Sequence, residues 1–320
     1  MLQHAFLNDQ VKPAAPVPQQ ALLTDDSATV LRFALEALKT GTAVALVTLV
    51  AIRGGAARAL GAQMAVREDG QYCGLVSGGC VEAAVACEAM AVITLGCDRQ
   101  VMYGEGSPYF DIVLPCGGGI TLVIHKLLEA RPLLEVLNLL AQRQTAGLGY
   151  SPQHQRLQRV ASPVSTGWHN GVFVTGYRPC TRALVFGRSP EALVTASVAQ
   201  AAGYEVQLYD GSDPQAAIPV DAHTAVLLLW HDLNRELPIL QAALAANPFY
   251  IGALGSQRTH AKRVQKLSEL GWSSTDIARI KAPVGIFPKA RDASSLALSV
   301  LADVAFARLN VAGDEQTDVG

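Results

Sequence analysis

Ala183-Leu184-Val185-Phe186-Gly187-Arg188-Ser189-Pro190-Glu191-Ala192 passes from an apolar run through a glycine into a Ser-Pro pair, the order in which a buried strand turns into a helix. Downstream the pattern repeats. Apolar runs at 205–209, 224–230 and 250–251 read as strands, and helical patterns occupy 191–202, 235–245, 259–270 and 294–309. Strands alternating with helices at this spacing define a parallel sheet wound on both faces, a Rossmann-like α/β fold. Gly187 stands where a dinucleotide fold carries the first glycine of G-x-G-x-x-G, and Ala192 is allowed at the third, but Ser189 replaces the second. Ser189-Pro190 reads as an N-cap pair that satisfies the helix's own N–H groups, and Glu191 opposes an incoming phosphate, offset in part by Arg188. Asp210 ends the next strand, where an acid reaches ribose hydroxyls or closes a turn. Farther on, Gly255 and Ser256 open a helix with Arg258 nearby, which fits a phosphate site, although Arg258 also fits a solvated helix face. His231 follows a strand but has no placed acidic partner to make it a catalyst.

The amino-terminal half reads as a mixed α/β domain. Thr24, Asp25, Asp26 and Ser27 offer caps to a helix that stops at Gly41, residues 43–50 form an unbroken apolar strand, and Asp69-Gly70 joins a hairpin. Val76-Ser77-Gly78-Gly79-Cys80-Val81-Glu82 then places a cysteine behind two glycines at the expected start of a helix, where free N–H groups and the helix dipole favour a thiolate. Pro115-Cys116-Gly117-Gly118-Gly119, between apolar runs at 112–114 and 120–125, repeats that character. Soft sulfur beside Gly-rich backbone points to a large anionic, metal-bearing or sulfur-bearing ligand, with Cys80 and Cys116 as candidate metal contacts. The plainer reading is a small buried hydrophobe beside a turn. Cys87, two helical turns beyond Cys80, is expected to pack inward.

Length and composition set the frame. A chain of 320 residues calls for two domains, here 24–165 and 166–312, with tails at 1–23 and 313–320. Only 16% of residues are charged, against about a quarter in ordinary domains, so a homodimer or a protein partner is expected to cover surface. A formal charge of −2 gives no electrostatic basis for nucleic-acid binding. The start of the chain lacks the basic and apolar parts of a secretory signal, and the apolar run at 43–52 is too short to span a bilayer, so a cytoplasmic, reducing location without membrane contact is expected. The six cysteines contain no C-x-x-C pair, which argues against a structural zinc site.

Several longer stretches, taken together, resemble the XdhC/CoxI family of maturation factors for molybdenum hydroxylases. They are Arg58-Ala59-Leu60-Gly61-Ala62-Gln63-Met64, Ser77-Gly78-Gly79-Cys80-Val81-Glu82 and Pro115-Cys116-Gly117-Gly118 in the first half. Tyr250-Ile251-Gly252-Ala253-Leu254-Gly255-Ser256-Gln257-Arg258 and Ala282-Pro283-Val284-Gly285 follow in the second. The resemblance implies a chaperone more than a catalyst: one that binds the molybdenum cofactor as molybdopterin cytosine dinucleotide, supports its sulfuration and inserts it into an apo molybdenum hydroxylase, with an aldehyde oxidoreductase favoured over a xanthine dehydrogenase. A cysteine desulfurase and a cytidylyltransferase are its implied partners. On this view Cys80 and Cys116 stand at the metal or the exchanged sulfur. Ser77, Gly78, Gly79, Gly117 and Gly118 cradle the pterin phosphate, Glu82 orients a pterin N–H or complements the helix dipole, and Arg58 pairs with a phosphate or a client carboxylate. Gly187, Asp210, Gly255, Ser256 and Arg258 take the nucleotide end. Gly55 and Ala57 depart from the Ser and Pro common before Arg58, and Ser189-Pro190 from the usual Gly-His, which turns attention to the first domain. The alternative is an NAD(P)-dependent oxidoreductase built on the second domain.

Overall fold

The structure, a computed structural model, describes residues 16–107, 114, 117–161, 165–211, 218–230, 232–287 and 289–314. Cys116, His231 and the apolar run at 112–113 lie outside them. Contacts divide the chain into two units, 1–138 with 146–177, and 139–145 with 178–320. The division falls at Tyr177 rather than at 165, because the last two strands before it complete a sheet of the first unit.

The first unit begins with β1 (Gln19–Leu22), α1 (Ser27–Lys39), β2 (Val44–Arg53), β3 (Gln63–Arg67) and β4 (Gln71–Gly74). α2 (Glu82–Leu95), β5 (Arg99–Gly104), β6 (Gly119–Lys126) and α3 (Arg131–Ala141) follow, then β7 (Ala146–Ser151), β8 (Arg156–Val160), β9 (Gly167–His169) and β10 (Val172–Tyr177). Asp26 caps α1 by accepting from the N–H groups of Ala28 and Thr29. Six strands pair in the order β1-β4-β3-β2-β6-β5, and β8-β7-β10-β9 form a second, antiparallel sheet. β1 lies within the stretch read as a tail: although every residue in it is exposed, it pairs in parallel with β4. β2 shows no polar alternation because both its faces are covered. Ala45, Val47 and Leu49 pack in the core with Val85, Ala89 and Val92 of α2, while Val50 joins Val123, Tyr150 and Phe173 beneath the smaller sheet.

The second unit holds β11 (Arg182–Phe186), α4 (Pro190–Ala201), β12 (Glu205–Tyr209), β13 (Thr224–Leu228) and α5 (Leu233–Ala246). It continues with β14 (Tyr250–Ala253), α6 (Gln257–Glu269), α7 (Ser274–Ala278), β15 (Ile280–Lys281) and α8 (Ala293–Asp314). All pairings in the sheet, ordered β12-β11-β13-β14-β15, are parallel. Alternation within single strands shows the double winding. Ala183, Val185, Ala225 and Leu227 pack with Ala192, Ala196, Val300 and Val304 of α4 and α8. Leu184, Phe186, Val226 and Leu228 pack with Leu240, Leu244 and Leu267 of α5 and α6. The Rossmann-like expectation therefore holds, and β11 and β13 flank the point where the strand order reverses.

At the opposite edge, Arg143 clamps Asp221 through two bonds of 2.8 and 3.1 Å, and Arg308 Nη1 lies 3.0 Å from His223 Nδ1. A guanidinium only donates, so His223 accepts there as the neutral imidazole. Burial, then the nearby Arg308 charge, brings the His223 pKa down to about 4. An unfolded histidine titrates near 6.5, so from about pH 6.5 down to 4 the unfolded chain takes up a proton that the folded chain refuses. Stability is complete above that window and falls through it, by about 3 kcal/mol at most. Urea midpoints measured across this range are expected to fall with acid in the wild type and to flatten in His223→Asn.

Candidate functional site

The loop from β4 to α2 is organised around one carboxylate. Glu82, the first residue of α2, is only 2% exposed and turns back onto its own loop. Its Oε1 accepts from the N–H groups of Val76 at 3.2 Å and Ser77 at 2.8 Å, and its Oε2 from Val81 N–H at 3.2 Å. The Ser77 hydroxyl reaches both oxygens, at 2.9 and 2.7 Å. Glu82 is therefore the internal anchor of the loop and presents no surface to a pterin. The turn it holds carries Gly78, Gly79 and Cys80 outward, all exposed. Gly79 takes φ +98°, a conformation that favours glycine.

Two expectations about the helix change. α2 begins at Glu82 with Val81 as its N-cap, so Cys80 precedes the helix rather than sitting in its first turn. Cys87 is exposed, because the buried stripe of α2 runs through Val85, Ala86, Ala89, Val92 and Ile93 and passes beside it. Among the described cysteines Cys73 is the buried one: burial, with the Asp26 charge adding to it, pushes its thiol up to about 11.

Beside this loop runs the connector between β2 and β3. The Nε of Arg58 donates to the Ser77 carbonyl at 3.3 Å and its Nη1 pairs with Asp25 at 2.9 Å, so this guanidinium ties connector, cysteine loop and the start of α1 together. A Cβ on Gly78 would lie 3.5 Å from that of Ala57. The second glycine loop meets the same connector: a Cβ on Gly118 would come within 2.1 Å of the Gly55 carbonyl oxygen and 2.5 Å of that of Arg53. Gly118 is thus a glycine because backbone passes against backbone. Arg53, which belongs to none of the sequence motifs, donates twice to the Glu105 carbonyl, at 3.2 and 3.0 Å, and Glu105 N–H donates to the Gly118 carbonyl at 3.1 Å. Both ends of the segment that carries Cys116 are pinned in this way. The sign of Arg53 in the sequence is a charge closing an apolar strand just before two glycines.

The result is an exposed surface of Gly54, Gly55, Ala57, Gly78, Gly79, Cys80 and Gly117. At these positions only the Cys80 thiol is larger than a methyl group, and the exposed Glu105 carboxylate borders them, its Oε2 3.9 Å from where a Cβ on Gly54 would stand. Among the described residues no group of three or more His, Cys, Asp or Glu is placed to hold a metal ion.

In the second unit the candidates line the carboxyl edge of the parallel sheet. Gly187 follows β11, and a Cβ there would stand 2.7 Å from that of Ala192 and 3.1 Å from the Leu229 carbonyl oxygen, so close packing of α4 on the sheet requires glycine. Ser189 occupies the N-cap position with Pro190 next to it, yet it makes no capping bond and its Oγ is buried without a partner. The expected self-capping of α4 by this side chain is therefore absent. Asp210 follows β12 and is exposed. Gly255, at φ +128°, leads into Ser256, which caps α6 by accepting from Thr259 N–H at 3.2 Å, and Arg258 is exposed. Beneath that turn lies Arg263, fully buried and paired with Glu236 at 2.6 and 3.0 Å, while also donating to the Leu254 carbonyl. Only the tertiary fold reveals this pair, since helical spacing alone marks Arg263 as solvated.

Residues 37–104 match the XdhC and CoxI family, and residues 183–304 match the XdhC Rossmann domain. Over 293 residues the chain is 62% identical to the Escherichia coli molybdenum cofactor insertion chaperone PaoD, covering 92% of each protein. The chain belongs to the XdhC and CoxI family. It is also 24% identical to a probable xanthine dehydrogenase subunit of Bacillus subtilis, over 83% of this chain and 94% of that protein. A crystal structure from Bacillus halodurans, described as a xanthine dehydrogenase, shares the fold at a TM-score of 0.69 and 20% identity, covering 88% of this chain and 96% of its own. No helix among the described residues is long and apolar enough to cross a membrane.

Gly118→Ala is expected to displace the connector and cost about 1–3 kcal/mol, as overpacking against backbone does. Gly79→Ala, whose Cβ meets open space, carries only the backbone strain of about 1 kcal/mol. Urea denaturation with limited proteolysis of residues 53–61 separates them: new cleavage in that segment is expected for Gly118→Ala alone.

Proposed function

We propose that this protein is a molybdenum cofactor insertion chaperone. It holds the cofactor as molybdopterin cytosine dinucleotide, supports sulfuration of the metal centre and delivers it to an apo molybdenum hydroxylase of the aldehyde oxidoreductase type. The observation that carries the reading is the connector at residues 54–58, which both glycine loops touch: Gly118 lies against Gly55, while Gly78 approaches Ala57 and Ser77 takes a bond from Arg58. A Cys116 carried by the second loop then works on the same surface as Cys80. The likeness to PaoD, a molybdenum cofactor insertion chaperone, supports the cargo and the act of insertion.

On this reading the chain's residues divide the work. The bare main chain at Gly78, Gly79 and Gly117 lets the pterin phosphate approach the backbone, with the Gly78 N–H as its donor, since those of Gly79 and Gly117 already donate to Ser77 Oγ and the Leu114 carbonyl. The two cysteines supply sulfur contacts to the cargo's metal or to the sulfur being exchanged. Glu82, buried, shapes the platform without touching the cargo, while Arg58, whose side chain keeps part of its surface exposed, pairs with a phosphate or a client carboxylate. The carboxyl edge at Gly187, Asp210, Gly255, Ser256 and Arg258 is, taken by itself, the nucleotide-binding edge of the second unit. A cysteine desulfurase supplies sulfur and a cytidylyltransferase supplies the loaded pterin. The carrier acts in the cytoplasm as a homodimer and releases cargo when the client binds it more tightly in the receiving state.

The reading is tested by expressing the full chain in a host that makes the cofactor and identifying the co-purifying pterin by mass spectrometry. Cytosine dinucleotide is expected in the wild type, and a loss of about tenfold or more in Cys80→Ala and Cys116→Ala at unchanged thermal stability. Variants that retain the pterin and fully activate an apo client overturn it. Saturable NAD or NADP binding with hydride transfer establishes the oxidoreductase alternative instead.

A further inference from the structure

The hydrogen bonds around Ser77 can be fully accounted for, and they show which atom donates to which. A serine hydroxyl has one proton and two acceptor lone pairs. The three backbone N–H groups of Val76, Ser77 and Val81 converge on the Glu82 oxygens, which act as acceptors, so the Ser77 proton is given to Glu82 across 2.7 and 2.9 Å. Gly79 N–H fills one lone pair of Ser77 Oγ at 3.2 Å. The other faces Cys80 Sγ at 3.5 Å. Ser77 has no second proton to give, so the Cys80 S–H is the donor in that contact.

We infer that Ser77, locked in place by Glu82, is the positioning residue of Cys80: it ties down the exposed thiol through its S–H and slows its attack on soft electrophiles until the loop is rearranged. Cys80 otherwise stands open to solvent with no steric shield, so this bond is what restrains it from reacting with stray oxidants or electrophilic sulfur. The Ser-Gly-Gly-Cys-Val-Glu order thereby acquires a reason for each polar member. The inference rests on the proposal that Cys80 is a working group of the site, and it concerns the unloaded protein.

The test is alkylation of the full-length, cofactor-free protein by iodoacetamide at one fixed pH, with each cysteine followed by peptide mass spectrometry. In Ser77→Ala the Cys80 peptide is expected to react roughly fivefold faster, the effect of losing one ordinary hydrogen bond, while the exposed Cys87 and Cys97 keep their rates. Ser77→Thr, which retains the hydroxyl, is expected to restore the wild-type rate. An unchanged or slower Cys80 rate in Ser77→Ala overturns the inference. Buried Cys73 reports on folding. If it becomes labelled in Ser77→Ala, the Raman S–H band of the wild type decides instead. A Cys80 band on the hydrogen-bonded side of that of Cys87 supports the inference, and a free-thiol band overturns it. Because no cargo is present, failure here leaves the chaperone reading standing, and retention of pterin by Cys80→Ala sinks that reading without altering these rates.

Discussion

A buried carboxylate that accepts from its own loop is the interaction on which the first unit's surface depends. Four donor groups from Val76, Ser77 and Val81 reach Glu82, and without it three backbone N–H groups would be left buried and unpaired. Each such loss costs on the order of 1–3 kcal/mol, which is enough to select one loop conformation over its alternatives. Because those bonds are satisfied internally, the glycines and the cysteine project outward at no cost to the core. The loop is rigid where it meets the sheet and bare where it meets solvent.

The second constraint is close approach of main chain. Gly118 fits against Gly55 only without a side chain, and Arg53 fixes the strand ends around it through the Glu105 carbonyl. Glycine there serves packing rather than flexibility, and the same holds for Gly187 under α4. A glycine-rich motif therefore has two physical meanings in this chain. At Gly78, Gly79 and Gly117 it leaves main chain exposed to solvent, and at Gly118 and Gly187 it lets the protein touch itself.

Much of the fold was legible in the sequence because its signals are local. The alternation of strands and helices after residue 182 gave the parallel sheet, and Asp69-Gly70 gave the β3–β4 hairpin, with Gly70 at φ +86°. β1 was hidden because four exposed residues carry no burial pattern, and the division at Tyr177 because β10 pairs with β7, a strand on the other side of the expected boundary at 165. At the site, the positions of the glycines and of Cys80 could be read as an exposed turn, but the roles of the charged groups could not. The sequence offered Glu82 a pterin N–H or the helix dipole and Arg58 a ligand anion, but the internal partners Ser77 and Asp25 are fixed by a turn and by a contact between distant segments. Arg263 and Glu236, buried together from two helices, were invisible for the same reason.

In the proposed site two cysteines, separated by 35 residues of sequence, work beside the connector at residues 54–58. The most direct measurement is cross-linking by dibromobimane in a variant with Cys73, Cys87, Cys97 and Cys180 replaced by serine, read out by peptide mass spectrometry. An intramolecular Cys80–Cys116 bridge is predicted, formed in the folded chain and lost in urea. Single adducts at each cysteine with no bridge, in a protein that is otherwise folded, would contradict the shared surface.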